Sequence, residues 1–261
     1  MNADKLELIR RIETLAMRAW PAESMEPLGG WRLRYTQGVT RRANSVWPNE
    51  QEGRMPLSER LDAVEAFYAT HDLPARYQIC PAALPEALDA TLAARGYVDD
   101  AHTHVQINSL ATLLDGTADL SMRPSWVLTV AHEPHAAWFD AYQAAEAFDE
   151  HEAAMRRAII DRISGPCGFA LLTADDTPVS LGLGVVEEDY LGIFSMATAP
   201  QQRRQGAATR VLQALAGWAA QQGAQRAYLQ VMQRNRGALA LYAKAGFETL
   251  YDYHYRERSS R

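Results

Sequence analysis

Between residues 207 and 222 apolar side chains recur every three or four positions: Val211, Leu212, Leu215 and Trp218 share one face, and Gly223 follows. That spacing predicts an amphipathic helix ended by a glycine free to turn left-handed. Shorter apolar or alternating runs predict strands over 126–131, 168–173, 179–187, 190–198, 226–232 and 249–256. Asp175-Asp176, between the second and third of these, is hairpin chemistry. Helical spacing returns over 133–148, 150–163 and 237–245, the second stopped by Gly165-Pro166 and the third by Gly246. The predicted order is a strand, two helices, a three-strand meander, helix, strand, helix, strand. That is a mixed α/β layer architecture.

The first half carries a related pattern. Helices are predicted over 5–20, 57–71 and 84–95, with strands over 30–36, 42–46, 76–79 and 103–107. Shifted by 150 residues, Gly246 falls on Gly96, Phe247 on Tyr97, and helix 208–222 on 58–72. An internal duplication accounts for this register. The segment between Ser109 and Ser125 lacks a sustained strand pattern and holds Gly116 and Pro124. The expected division is therefore a domain over 1–110, a linker over 111–124 and a second domain over 125–261.

Composition narrows the class. Apolar residues make up 48% and charged residues 22% of 261, the balance of a globular chain with a full core. No run reaches the ~20 apolar residues that cross a bilayer, so no membrane partner is expected. A formal net charge of −6, with no basic block, makes nucleic acid a poor partner. Cys80 and Cys167 are too few for a disulfide framework. The expectation is a reduced, cytoplasmic protein with both thiols as buried filler. The histidines (His132, His135, His151 and His254 in the second half) show no zinc spacing, so no metal is expected.

The chemistry concentrates where the strand over 190–198 gives way to the helix at 207. The turn reads Met196-Ala197-Thr198-Ala199-Pro200-Gln201-Gln202-Arg203-Arg204-Gln205-Gly206-Ala207-Ala208-Thr209. A helix N-terminus offers unpaired N–H groups and a positive dipole end to an anionic phosphate. Gly206 and the two alanines keep the approach clear, and Arg203 and Arg204 add charge. Neither the G-x-x-x-x-G-K-[ST] nor the G-x-G-x-x-G nucleotide turn is present. R-x-x-G-x-A is, and it resembles the acyl-CoA pyrophosphate motif of the GNAT N-acetyltransferase superfamily. Further on, Asn235, Ala238 and Tyr242 match N-x-x-A-x-x-x-Y, followed by Gly246-Phe247 and an aromatic last strand. The resemblance spans about residues 126–258.

The resemblance implies two tandem acyl-CoA N-acyltransferase-like domains with acetyl-CoA as donor. Met196, Ala197 and Thr198 would hold the pantetheine arm by backbone hydrogen bonds. Arg203, Arg204, Gln205, Gly206, Ala207, Ala208 and Thr209 would hold the pyrophosphate, and Asn235 the cofactor backbone. Tyr242 is the expected catalytic residue, donating a proton to the leaving thiolate. An amine of a small molecule or peptide would attack the thioester directly, with a backbone N–H near Met196 facing the oxyanion. Transfer to a hydroxyl or thiol, use of a longer acyl chain, and a non-catalytic acyl-CoA sensor are the alternatives. The oligomeric state is not readable.

No general base is assigned. The position that carries a glutamate in the histone-acetylating branch is Gly192; nearby stand Glu187, Glu188, Asp189, Tyr190 and Ser195, of which the acidic trio reads as a turn. Of Trp138, Phe139 and Tyr142, at least two are expected in the core. At the 150-residue offset Tyr242 falls on Leu92, Asn235 on Pro85 and Gly206 on Pro56, so the first half should lack the machinery. It resembles the N-terminal repeat of tandem acetyltransferases. Its polar stretch with Arg41, Arg42 and Asn44 is a candidate acceptor-cleft lining that selects a carboxylate.

Overall fold

Residues 2–115 and 123–258 are described by the computed structural model. The first half runs α1 (Ala3–Arg18), β1 (Ser24–Leu28), β2 (Trp31–Tyr35), β3 (Val46–Trp47), α2 (Leu57–Ala69), β4 (Ala75–Ile79), α3 (Leu88–Ala94), β5 (Val98–Ser109) and α4 (Leu110–Asp115). The second runs β6 (Trp126–Ala131), α5 (Ala136–Glu146), α6 (Glu150–Asp161), β7 (Cys167–Ala174), β8 (Thr177–Glu187) and β9 (Tyr190–Thr198). It continues through α7 (Ala207–Gln221), β10 (Arg226–Met232), α8 (Arg236–Lys244) and β11 (Glu248–Arg258). No helix among the described residues is long and apolar enough to cross a membrane.

Three expectations are corrected. The strand over 42–46 is mostly a loop, because Asn44 turns its side chain inward: it accepts from the Thr36 and Gly38 N–H groups and donates to the Thr36, Val39 and Thr40 carbonyls. β1 (Ser-Met-Glu-Pro-Leu) escapes the pattern because it buries neither face; it is an edge strand paired only with β2, where proline is tolerated. Part of the expected linker is helical, since α4 buries Leu110 and Leu113; residues 116–122 of it lie outside the described residues.

All described strands form one sheet in the order β1-β2-β3-β4-β11-β5-β10-β9-β8-β7-β6. The last strand of each half sits beside the other half: β11 pairs with β4, and β5 pairs with β10, both antiparallel. At the centre β5 and β11 pair with each other, Val105 facing Tyr251. In each half one parallel pair lies next in, β3 with β4 and β9 with β10. The shift of 150 residues relates α2 to α7 and β5 to β11 in these boundaries.

Helices cover both faces. Phe169 and Leu171 of β7 point into a core with α1, α5 and α6, whereas Ala170 and Leu172 point into one with α7 and α8. α2 and α3 pack over the first half of the sheet. A buried polar link ties the halves: the Tyr251 hydroxyl donates to Glu13 at 2.6 Å, and Gln78 donates to the same carboxylate at 3.0 Å. Burial raises the Glu13 pKa, and the Tyr251 hydroxyl and the Arg34 charge oppose that rise.

Candidate active site

β9 and β10 run side by side only from Tyr190↔Arg226 to Ile193↔Leu229. Beyond Ile193 they part, and the cause lies in β9 itself. Leu183 pairs with Phe194 but Leu181 with Ala197, so β9 carries an extra residue. Ser195 absorbs it at a φ of 49°, a bulge that bends the strand. The β10-facing edge of β9 thereafter has no strand partner, which frees backbone groups to bind something else in extended form. Met196, Ala197 and Thr198 lie on this segment. Ser180 steadies it from the opposite side, donating to the Ala197 carbonyl at 2.8 Å.

The chain then turns through a single 3-10 turn at Pro200–Gln202 into α7. Arg204 and Gly206 are left-handed, with φ of 59° and 87°. Gly206 is the N-cap of α7 and supplies no capping side chain. The first helical N–H paired within the helix is that of Arg210, to Gly206 at 3.1 Å. Those of Ala207, Ala208 and Thr209 precede the intrahelical ladder and point out of the helix end. A Cβ at Gly206 would meet nothing within 4 Å, so the space beside the turn at Gly206 is open. This is a cradle for an anion, with Arg203 and Arg204 beside it.

A groove of about 630 Å³ starts at this turn and follows the gap between β9 and α8. Met196, Ala197, Thr198, Arg203, Arg204, Gly206, Ala207, Ala208, Thr209, Asn235 and Tyr242 all line it. Gln205 does not: its side chain donates to the Gln201 carbonyl and accepts from Arg123. Asn235 caps α8, its oxygen accepting from the Ala238 N–H at 3.1 Å, which leaves the amide NH₂ for the groove. Two roles for one side chain can be separated. Asn235→Asp should keep the cap and stability but weaken binding in the groove by about tenfold, whereas Asn235→Ala should also lose ~1 kcal/mol of stability. Thermal unfolding alongside titration checks this; equal affinity in the Asp variant would remove Asn235 from the binding set.

Tyr242 sits where the groove meets a second cavity of about 500 Å³. It is 6% exposed, and its ring meets Phe247 edge-on at 5.7 Å. Burial pushes its phenol well above the ordinary tyrosine range, so the group stays protonated and able to donate. No other described residue hydrogen-bonds its hydroxyl. The second cavity draws on both halves: Trp20, Arg41 and Arg42 from the first, Tyr142, Glu146 and Arg156 from α5 and α6, and β5, β10 and β11 from the sheet centre. Arg41 and Arg42 therefore line a cleft, whereas Asn44 staples the loop behind them. Glu146, Arg156 and Gln230 escape sequence reasoning because no local pattern marks them; only the exchange of β5 and β11 brings these walls together.

Other expectations resolve simply. Glu187, Glu188 and Asp189 are the β8–β9 turn, ion-paired to Arg18 and Arg11. A Cβ at Gly192 would clash with the Tyr228 hydroxyl at 2.6 Å, so Tyr228 fills the place of a side chain there. Trp138 and Phe139 are core, and Tyr142 reaches the cavity. Among the described residues no three or more His, Cys, Asp and Glu side chains gather in a cluster that could hold a metal ion. Cys80 is buried; Cys167 is only half-buried, with burial raising its thiol to about 11.

The first half closes the equivalent gap. Pro56 is the N-cap of α2 and offers no N–H. The Leu84 N–H donates to the Pro48 carbonyl at 2.7 Å and Trp31 donates to the Leu84 carbonyl, drawing the segments after β3 and β4 together. Leu92 is fully buried.

A sheet parted by a bulge between parallel neighbours, opening onto an uncapped helix end, defines the class: this is an acyltransferase fold of the GNAT superfamily. The family model described as "Probable histone acetyltransferase Rv0428c C-terminal" matches residues 7–258, and the chain belongs to that family. It is 34% identical over 252 residues to the "Uncharacterized N-acetyltransferase YobR" of Bacillus subtilis, covering 95% of this chain and 98% of that protein. To the "Probable histone acetyltransferase Rv0428c" of Mycobacterium tuberculosis it is 28% identical over 236 residues, covering 89% of this chain and 68% of that one. Two solved structures share the fold. A GCN5-related N-acetyltransferase from Kribbella flavida gives a TM-score of 0.69 at 16% identity, over 96% of this chain and 95% of that one. A tandem GNAT protein from the clavulanic acid biosynthesis pathway gives 0.66 at 12%, over 99% and 94%.

Proposed function

We propose that the chain transfers an acetyl group from acetyl-CoA to a primary amine, with one donor site per chain in the second of two GNAT-like halves, 1–110 and 125–261. The open N-terminus of α7 carries this reading. Its N–H groups and Arg203 and Arg204 hold the pyrophosphate, the unpaired edge of Met196, Ala197 and Thr198 holds the pantetheine arm, and Asn235 adds an amide. The amine nitrogen adds to the acyl carbon, the tetrahedral oxyanion that forms faces a backbone N–H near Met196, and the C–S bond then breaks. Tyr242 donates its proton to the departing sulfur, and the amine's surplus proton leaves to a base.

Glu146 is the one carboxylate on the wall of both cavities among the described residues, and we assign it the base. Glu146→Gln should lower turnover at neutral pH and recover part of it as pH rises, because more amine is then neutral. A pH–rate profile identical to the parent's would remove it. The reading as a whole is tested by CoA-thiol release with acetyl-CoA and a panel of primary amines. Amine-dependent release is expected; binding without release with any amine would make the chain a sensor instead.

A further inference from the structure

The second cavity is unevenly charged. Its wall carries three arginines, Arg41, Arg42 and Arg156, against the single carboxylate Glu146. Arg41 is balanced by Asp100 at 2.5 Å, with Glu257 farther off. Arg42 and Arg156 have no carboxylate partner among the described residues. Arg156 donates only to the Tyr142 hydroxyl, at 3.3 Å.

Arg42 is held without spending its donors. Its guanidinium lies 5.6 Å from the Trp20 ring and 5.5 Å from the Phe194 ring, and those rings stack on each other at 6.0 Å. Contact with an aromatic face fixes a guanidinium's place while leaving its N–H edge free for a planar, bidentate anion. The polar atoms at the same wall point the same way. The Arg41 Nε, Arg156 Nε, Ser195 Oγ and Gln230 Nε2 atoms are buried without a hydrogen bond, although Arg41 Nε has Glu257 at 3.9 Å. All four can donate, and three of them, the two Nε atoms and the Gln230 amide nitrogen, can do nothing else. Uncompensated donors leave a positive potential in a low-dielectric space. A volume of about 500 Å³ suits a small molecule rather than a protein segment threaded through it.

We propose that the acceptor is a small primary amine that also bears a carboxylate, seated with the carboxylate on Arg42 and the amine toward Tyr242. This rests on the donor site and acyl transfer proposed above and names the acceptor they serve. It sets the chain apart from an enzyme for lysine-rich tails, whose accumulated positive charge would meet unpaired arginines here.

The test uses the full chain with saturating acetyl-CoA and matched amine pairs, each a free carboxylate and its carboxamide, together with a lysine-rich histone-tail peptide. CoA-thiol release should favour the carboxylate member by about ten- to a hundredfold in kcat/KM, the range of one charge-assisted hydrogen bond. Arg42→Gln should erase that preference through KM with kcat little changed, and Arg42→Lys should restore part of it. Equal use of both members, preference for the carboxamide or the tail peptide, or an unchanged preference in the Gln variant overturns the proposal. So does a panel in which no carboxylate-bearing amine reacts; calorimetric binding of acetyl-CoA by the same sample then shows whether the donor reading survives on its own.

Discussion

Tyr242→Phe should cut kcat by about a hundredfold while leaving the Kd for acetyl-CoA unchanged, the signature of a group that acts only as the thiolate leaves. The substitution keeps the ring that packs on Phe247 and removes only the hydroxyl, so unfolding temperature should hold. The direction of the pKa shift makes a second part of the prediction. A free thiol ionises near ~8.5 and a free phenol near ~10. Burial raises the Tyr242 phenol further, so it remains an acid throughout the range in which the departing sulfur needs a proton. Loss of activity from deprotonation of Tyr242 should therefore begin only above the ordinary tyrosine range. An alkaline limb near ~8 that vanishes in the Phe variant would show instead that Tyr242 titrates early, and unchanged kcat would remove it from the chemistry.

Ala208→Asp should abolish tight acetyl-CoA binding without costing stability. Ala208 stands in the first turn of α7, half-buried on the groove wall. A carboxylate there favours the helix dipole and should stabilise the free protein by about 0.3–1 kcal/mol. The same charge would face the diphosphate of the proposed donor and compete for the same N–H groups. A weakening of at least about a hundredfold, roughly 3 kcal/mol, is expected by titration. The opposite signs make the variant informative: a merely damaged protein would lose both affinity and stability. Retained affinity would mean the anion binds elsewhere.

Much of the second half can be read from local pattern, because its strands are locally regular. The apolar runs over Trp126–Ala131, Tyr190–Thr198 and Arg226–Met232 are the observed strands, end for end. The turn into α7 is legible too, since its glycine, its alanines and its helix are contiguous. What no window contains is the pairing of β5 with β10 and β11 with β4. Those contacts join residues more than a hundred positions apart, and alternation within a strand does not specify its neighbour. Ser195 is a smaller case: a bulge depends on the partner strand's register, so Y-L-G-I-F-S-M-A-T reads as an ordinary strand. The second cavity inherits both difficulties. Arg42 stands out in the sequence, whereas Arg156 and Glu146 look like solvated helix positions until the halves meet.

Only the second half of the duplicated fold is proposed to hold the donor: there the parted edge of β9 opens a groove at Gly206, whereas in the first half the Leu84–Pro48 hydrogen bond draws the strands together and Pro56 stands at the helix start. Isothermal titration of the full chain with acetyl-CoA tests this most directly. One equivalent bound per chain is the predicted result. Two equivalents, or no binding heat together with no protection of the chain against thermal unfolding, would contradict it.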